Sequence, residues 1–202
     1  MFNDKYGLTQ AVLDCRKTMT RREPIFFDGN TFQGIFDNRI HLYEESTEKL
    51  LHKSYYSVGE VVAIAQSYKD IFNEADKGDY WADCYEAFRQ FNTTESKGYS
   101  NKMFVRADLM PHHIRITDIK VERLQDCSDN DILKEGVFQI SAPIYSHYNG
   151  IGYTFKGWTE RGVECSSDTP KGAFKALIDK TCGRGTFESN PYVFAYSFKL
   201  LD

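Results

Sequence analysis

The densest group of chemically capable side chains in the sequence is the run Arg16-Lys17-Thr18-Met19-Thr20-Arg21-Arg22, which packs four cations and two hydroxyls into seven residues. Such a run suits phosphate. Arg16, Lys17, Arg21 and Arg22 would hold phosphates while a ring such as Tyr68, Tyr153 or Trp158 stacks on an unpaired base. The competing reading is a solvated basic edge. With 13 Tyr, 15 Phe and 2 Trp, most aromatic side chains belong in a core, so no single ring is assigned to a ligand. The adjacent His112 and His113 point to opposite sides of a strand, and His41, His52 and His147 are isolated, so no metal site and no cofactor is expected. Gly183-Arg184-Gly185 lacks the Lys-Ser/Thr of a phosphate loop and reads as a helix stop. The five cysteines (Cys15, Cys84, Cys127, Cys165, Cys182) are odd in number, scattered, and never form Cys-x-x-Cys. They read as free thiols in a reducing compartment.

The elements that must position these residues follow from apolar spacing and from turn and cap signals. Leu8, Val12 and Cys15 share a helical face, so a short helix precedes the basic run, and a strand follows it to about Pro24. Between Ile25 and His41, aromatic and β-branched residues alternate with Asp28-Gly29-Asn30 and Asp37-Asn38, a hairpin signal. Val61–Gln66 reads as a buried strand. Asp70–Phe91, with Trp81, Tyr85 and Phe88 on one face, reads as helical. Lys102–Arg106 and Ile114–Leu124 have strand composition, the second apolar on both faces and hence central. Ser128 caps a short helix that begins with Asp129 and Asp131 and runs to about Glu135-Gly136. Asp168-Thr169-Pro170 starts a helix with Phe174, Leu177 and Ile178 on its apolar stripe, stopped by Gly183. Tyr192–Leu200 is a closing strand.

The 202 residues fit a single domain, and 41% hydrophobic against 27% charged residues allows a real core. A net charge of −4 and a pI near 5.8 argue against a general coat for nucleic-acid phosphates, so any such site is a local patch. No apolar run reaches membrane-spanning length and no secretory segment opens the chain, so a cytoplasmic protein without a membrane partner is expected. Strands interrupted by a few short helices predict an α+β fold built on a curled sheet or small barrel.

Three segments in order resemble the ASCH family, whose fold is a PUA-like β-barrel. Val12–Arg22 is similar to the family's helix-to-strand signature, Tyr56–Val62 to its Gly-Asp/Glu-hydrophobic strand start, and Ile114–Asp126 with the Ser128–Glu135 helix to its later strand and helix. Phe187–Val193 resembles the closing segment of phage-type members. Residues at about 25–55 and 67–100 have no counterpart in the shortest members and read as insertions within a single 1–202 domain. Cys15 stands where the family usually has glycine, a demanding position for a residue at a left-handed helix end.

The resemblance implies two activities. The first is recognition of RNA or a modified nucleoside in a cleft beside the barrel, which the residues of the basic run favour. The other, from short bacterial members, is an amidohydrolase that removes the acetyl group from N4-acetylcytidine. For the second, the resemblance carries a lysine onto Lys17, a threonine onto Thr20 and a glutamate onto Glu135. A threonine hydroxyl is inert at neutral pH without an adjacent base. Lys17 could be that base if burial beside Arg21 and Arg22 lowers its pKa, with Glu135 passing the proton to the leaving amine. A third class is a phage or mobile-element interaction module that uses the insertions as its contact surface.

Overall fold

The computed structural model describes residues 2–25, 31–75, 96–145, 148–156 and 167–201. The fold is α+β, with antiparallel sheets and few helices, and no closed barrel forms among the described residues. The chain divides into two compact units. The first comprises residues 1–2, 61–114 and 201–202, and the second residues 3–60 and 115–200.

In the second unit, helix α1 (Leu8–Leu13) buries Leu8, Ala11 and Val12 and ends in a Schellman turn. The Arg16 amide donates to the Ala11 carbonyl and the Cys15 amide to the Val12 carbonyl, the reciprocal pair that defines the motif. Cys15 therefore takes the left-handed position, at φ 56°. Strand β1 (Met19–Ile25) follows. It pairs antiparallel with β9 (Tyr192–Leu200), Thr20 facing Tyr196 and Arg21 facing Ala195, and its register slips between Arg22 and Ile25. Pro24 sits in that slip. A bulge is where a strand can accept a residue that has no amide to donate.

Within this unit the strand order is β1-β9-β6. Strand β6 (His113–Arg123) ends where β9 begins, the Leu124 amide donating to the Pro191 carbonyl. Val193, Phe194, Ala195 and Tyr196 are all buried, so both faces of β9 are covered, as alternating side chains require. Residues 31–53 form a separate meander of β2 (Thr31–Phe36), β3 (Arg39–Glu44) and β4 (Leu50–Lys53). Its first turn is Asp37-Asn38, both at positive φ (50° and 57°), the tight form that the two residues foretell. Residues 26–30, which held the Asp28-Gly29-Asn30 signal, lie outside the described residues.

Helix α3 (Asp129–Lys134) is capped by the Ser128 hydroxyl, which accepts from the Asp131 amide. A hairpin of β7 (Phe138–Tyr145) and β8 (Tyr148–Thr154) follows. Helix α4 (Pro170–Cys182) starts at Thr169, whose hydroxyl accepts from the Gly172 amide, and buries Phe174 and Leu177. The short helix α5 (Thr186–Ser189) leads into β9. Cys15, Cys127 and Cys182 are free thiols.

In the first unit, the strand expected over Val61–Gln66 is only β5 (Val61–Ala63), with Val61 exposed. It runs beside the start of β6, the Ile64 amide donating to the His112 carbonyl. Helix α2 (Tyr68–Ala75) opens the stretch read as helical. Trp81, Tyr85 and Phe88 fall outside the described residues. Tyr68, Ile71 and Met110 make a small core with Phe72, Val105 and Leu109. The Tyr68 hydroxyl accepts from the Arg106 amide, so this ring serves the core. Lys102–Arg106 is not a strand: Phe104 stands at φ 68°, exposed, within a turn. Its composition imitates a strand, but the positive φ breaks the extended path.

Candidate functional site

The end of α1, the start of β1 and the end of α3 meet around Lys17. The Schellman turn sends the chain from α1 directly into the strand, and the Thr18 amide donates to the Lys134 carbonyl, pinning α3 against this junction. Gly136, at φ 102°, lets the chain turn immediately after Glu135. A Cβ there would come 3.1 Å from Leu8 and 3.7 Å from the Lys17 stem. The lysine stem therefore lies under a position that favours glycine on two counts.

Lys17 is buried, at 2% exposure, and so is Glu135, at 5%. The Lys17 Nζ donates to three acceptors: the Met19 carbonyl at 2.8 Å, the Glu135 carbonyl at 2.8 Å and Glu135 Oε2 at 2.5 Å. The other carboxylate oxygen, Oε1, accepts from Arg21 Nη1 at 2.9 Å. Arg21 also donates through Nε to Glu122 Oε1 at 2.8 Å, and its guanidinium lies over the Phe174 ring at 5.6 Å. Nη2 is 2.6 Å from the same Glu122 oxygen. It is not aligned for a hydrogen bond, and among the described residues this buried nitrogen has no hydrogen-bond acceptor.

Two cations and two carboxylates thus alternate as Lys17, Glu135, Arg21 and Glu122. Beyond Glu122 the chain of charge continues to the surface through Lys120 and Asp131. Burial pushes the Lys17 pKa below its ordinary value, with Arg22 and Arg21 adding to the shift and Glu135 pulling against it. Burial also opposes the Arg21 charge, but Glu135 and Glu122 outweigh it and raise that pKa. The Cys127 thiol is pushed up by burial, only partly offset by Arg21.

Lys17 and Glu135, 118 residues apart in sequence, are therefore brought together. Thr20 is placed differently. Adjacent strand residues point to opposite faces, so Thr20 faces away from Arg21, on the side of its partner Tyr196. Among the described residues no hydrogen bond joins its hydroxyl to Lys17 or Glu135. The basic run does not form one outward patch either. The Arg21 side chain is 2% exposed and committed to two carboxylates. Arg16 is exposed but paired with Asp14 at 2.8 Å, and Arg22 is half-buried.

The sequence reading missed Glu122, which holds Arg21 from a strand 101 residues away. Its one available signal was an acidic residue in a strand apolar on both faces, where a charge requires a buried partner. No family model matches the chain, and no curated protein and no solved structure matches it.

Proposed function

We propose that this chain is a PUA-like domain of the ASCH kind that recognises a nucleoside, free or within RNA, at the junction of α1, β1 and α3. The observation that carries this reading is the buried Lys17–Glu135–Arg21 cluster. Buried ion pairs stabilise a fold little more than apolar packing of the same volume, and clusters with shifted pKa values concentrate at functional sites. The Lys17 ammonium commits its three protons to the Met19 and Glu135 carbonyls and Glu135 Oε2, so a base would be read by the Glu135 carboxylate, whose remaining lone pairs suit an exocyclic amine. The buried Arg21 Nη2 adds a donor with no aligned acceptor. With Arg21 turned inward, phosphate contact falls to Arg16 and Arg22.

The amidohydrolase reading is favoured by one observation, the lowered Lys17 pKa, the direction a base requires near neutral pH. In that reading the start of β1 would have to turn Thr20, which here faces Tyr196, toward a deprotonated Lys17 before its Oγ attacks the acetyl carbonyl of N4-acetylcytidine and passes its proton to that lysine. The C–N bond would break with that proton going to the amine, and water would then cleave the acyl-threonine.

Calorimetric titration with cytidine and N4-acetylcytidine, together with chromatography for released cytidine, tests both. Binding that Lys17→Met abolishes supports recognition at this site. Turnover that Thr20→Val abolishes supports the hydrolase. Absence of both binding and turnover refutes the proposal.

A further inference from the structure

The meander of β2, β3 and β4 carries an aromatic strip that the Lys17 centre does not use. Directly opposed residues in an antiparallel pair share a face. Phe32 opposes Tyr43, Gly34 opposes His41, and Phe36 opposes Arg39. Across the next pairing His41 opposes Lys53. These residues share one side, while Ile40 and Leu42, buried at 8% and 3%, point to the other.

On the shared side the rings are ordered against one another. Phe32 stacks on Tyr43 with centroids 5.3 Å apart and planes 17° from parallel. Tyr43 lies near-parallel to His41 at 6.1 Å and 28°, and Phe36 meets His41 edge-on at 5.8 Å. The Tyr43 hydroxyl and His41 Nδ1, 3.3 Å apart, fix both rings. Phe32 is 43% exposed and Phe36 63%. Between them, Gly34 presents no side chain, and a Cβ there would touch the Tyr43 ring at 3.6 Å. The Tyr43 ring therefore leans over the Gly34 position.

At the register positions of this face the charged residues are Arg39 and Lys53, both cations. Of the nearby acids, Glu44 lies on the opposite face, where it accepts from the Thr47 hydroxyl. Glu60 approaches Arg39 at 3.7 Å, and Asp37 is in the turn.

We propose that this face of the β2-β3-β4 sheet is a stacking platform for unpaired bases of single-stranded nucleic acid, with Arg39 and Lys53 taking the adjacent phosphates. Every base has a π-face, so stacking on exposed rings tolerates sequence, and flanking cations track the backbone. The site stands apart from the nucleoside reading of Lys17 and does not depend on it.

Fluorescence anisotropy with labelled ten-nucleotide oligouridylate and oligoadenylate tests it. The expected result is binding that weakens about fivefold or more for Phe32→Leu or Phe36→Leu and far more for both together, since each stacked base contributes about 1–3 kcal/mol. Phe36→Tyr keeps the affinity. Ile35→Ser, on the opposite face and 82% exposed, leaves it unchanged. Phe36 is exposed enough that Phe36→Leu folds normally, as circular dichroism would confirm. Failure of the wild type to bind either oligonucleotide, or unchanged affinity in the leucine variants, overturns the proposal. So does sedimentation showing self-association, lost in the double variant, in place of nucleic-acid binding. Nucleoside titration at Lys17 is read separately, so failure of that site leaves this result intact.

Discussion

Replacing Glu135 with glutamine removes one charge at the point where two buried cations meet. The carboxylate gives one oxygen to Lys17 and the other to Arg21. A glutamine of the same shape has one acceptor oxygen, so its amide nitrogen must face an ammonium or a guanidinium. Breaking a buried ion pair from one side costs about 3–5 kcal/mol, a large part of the ~5–15 kcal/mol that holds a typical protein folded. At an unfolding entropy of about 2.1 cal/mol/K per residue, this predicts a melting temperature lower by roughly 7–12 °C. Melting followed by circular dichroism for wild type, Glu135→Gln, Lys17→Met and the double variant measures it. The double variant should be much more stable than the two single losses added together, because Lys17→Met removes the cation that Glu135→Gln strands.

A pH arm tests the same cluster. Burial holds the folded Lys17 pKa below its ordinary 10.5, so between the folded value and 10.5 the unfolded chain binds the extra proton. Wild-type stability should therefore rise with pH across that window relative to Lys17→Met, and the rise should end near pH 10.5. Glu135→Gln removes the pull that raises this pKa and should extend the window downward. Additive losses, or a Glu135→Gln protein that melts within 2 °C of wild type, as judged against the ~3–5 kcal/mol expected, would refute the reasoning.

Two further outcomes are expected. Cys15→Gly should stabilise the protein by up to about 1 kcal/mol in urea denaturation, because a left-handed L-residue costs about 1–2 kcal/mol and glycine's freer unfolded chain returns only part of that; a loss of stability would contradict the turn geometry. Asp131 accepts first from Lys120 and then from Lys134, which hold its pKa at about 2, so it contributes stability above its unfolded pKa that is lost as pH falls from about 4 to about 2; with solvent screening this is about 1 kcal/mol, and Asp131→Asn should flatten that part of an acid-denaturation profile.

The parts of the fold legible in the sequence are those set by neighbours. Ser128, Thr169-Pro170 and Asp37-Asn38 each act within a few residues, and each cap or turn forms as its residues dictate. The left-handed helix end at Cys15 was legible only through the resemblance, which puts glycine there, because the spacing of Leu8, Val12 and Cys15 had set it on the helix face. The β7–β8 hairpin went unread, since its strongest turn signal, Asn149-Gly150, lies inside β8 opposite Pro143 and Ala142. Lys102–Arg106 misled because composition does not reveal a positive φ. At the site, the basic run was visible but its direction was not. Whether Arg21 faces solvent or Phe174 depends on Glu122 and Glu135, both over a hundred residues away, and no local rule encodes that choice.

The pairing of β1 with β9 has a kinetic meaning. Thr20 meets Tyr196, a contact that spans nearly the whole chain and carries a high loop-closure entropy. Folding dominated by such distant pairings is slow. On the ribosome, β1 must wait with an unpaired edge until Tyr192–Leu200 has emerged, while Lys17 and Glu135 can already meet. The ion cluster can therefore hold the first strand in place before the strand that completes its sheet exists, which shortens the period in which that edge could pair with another chain.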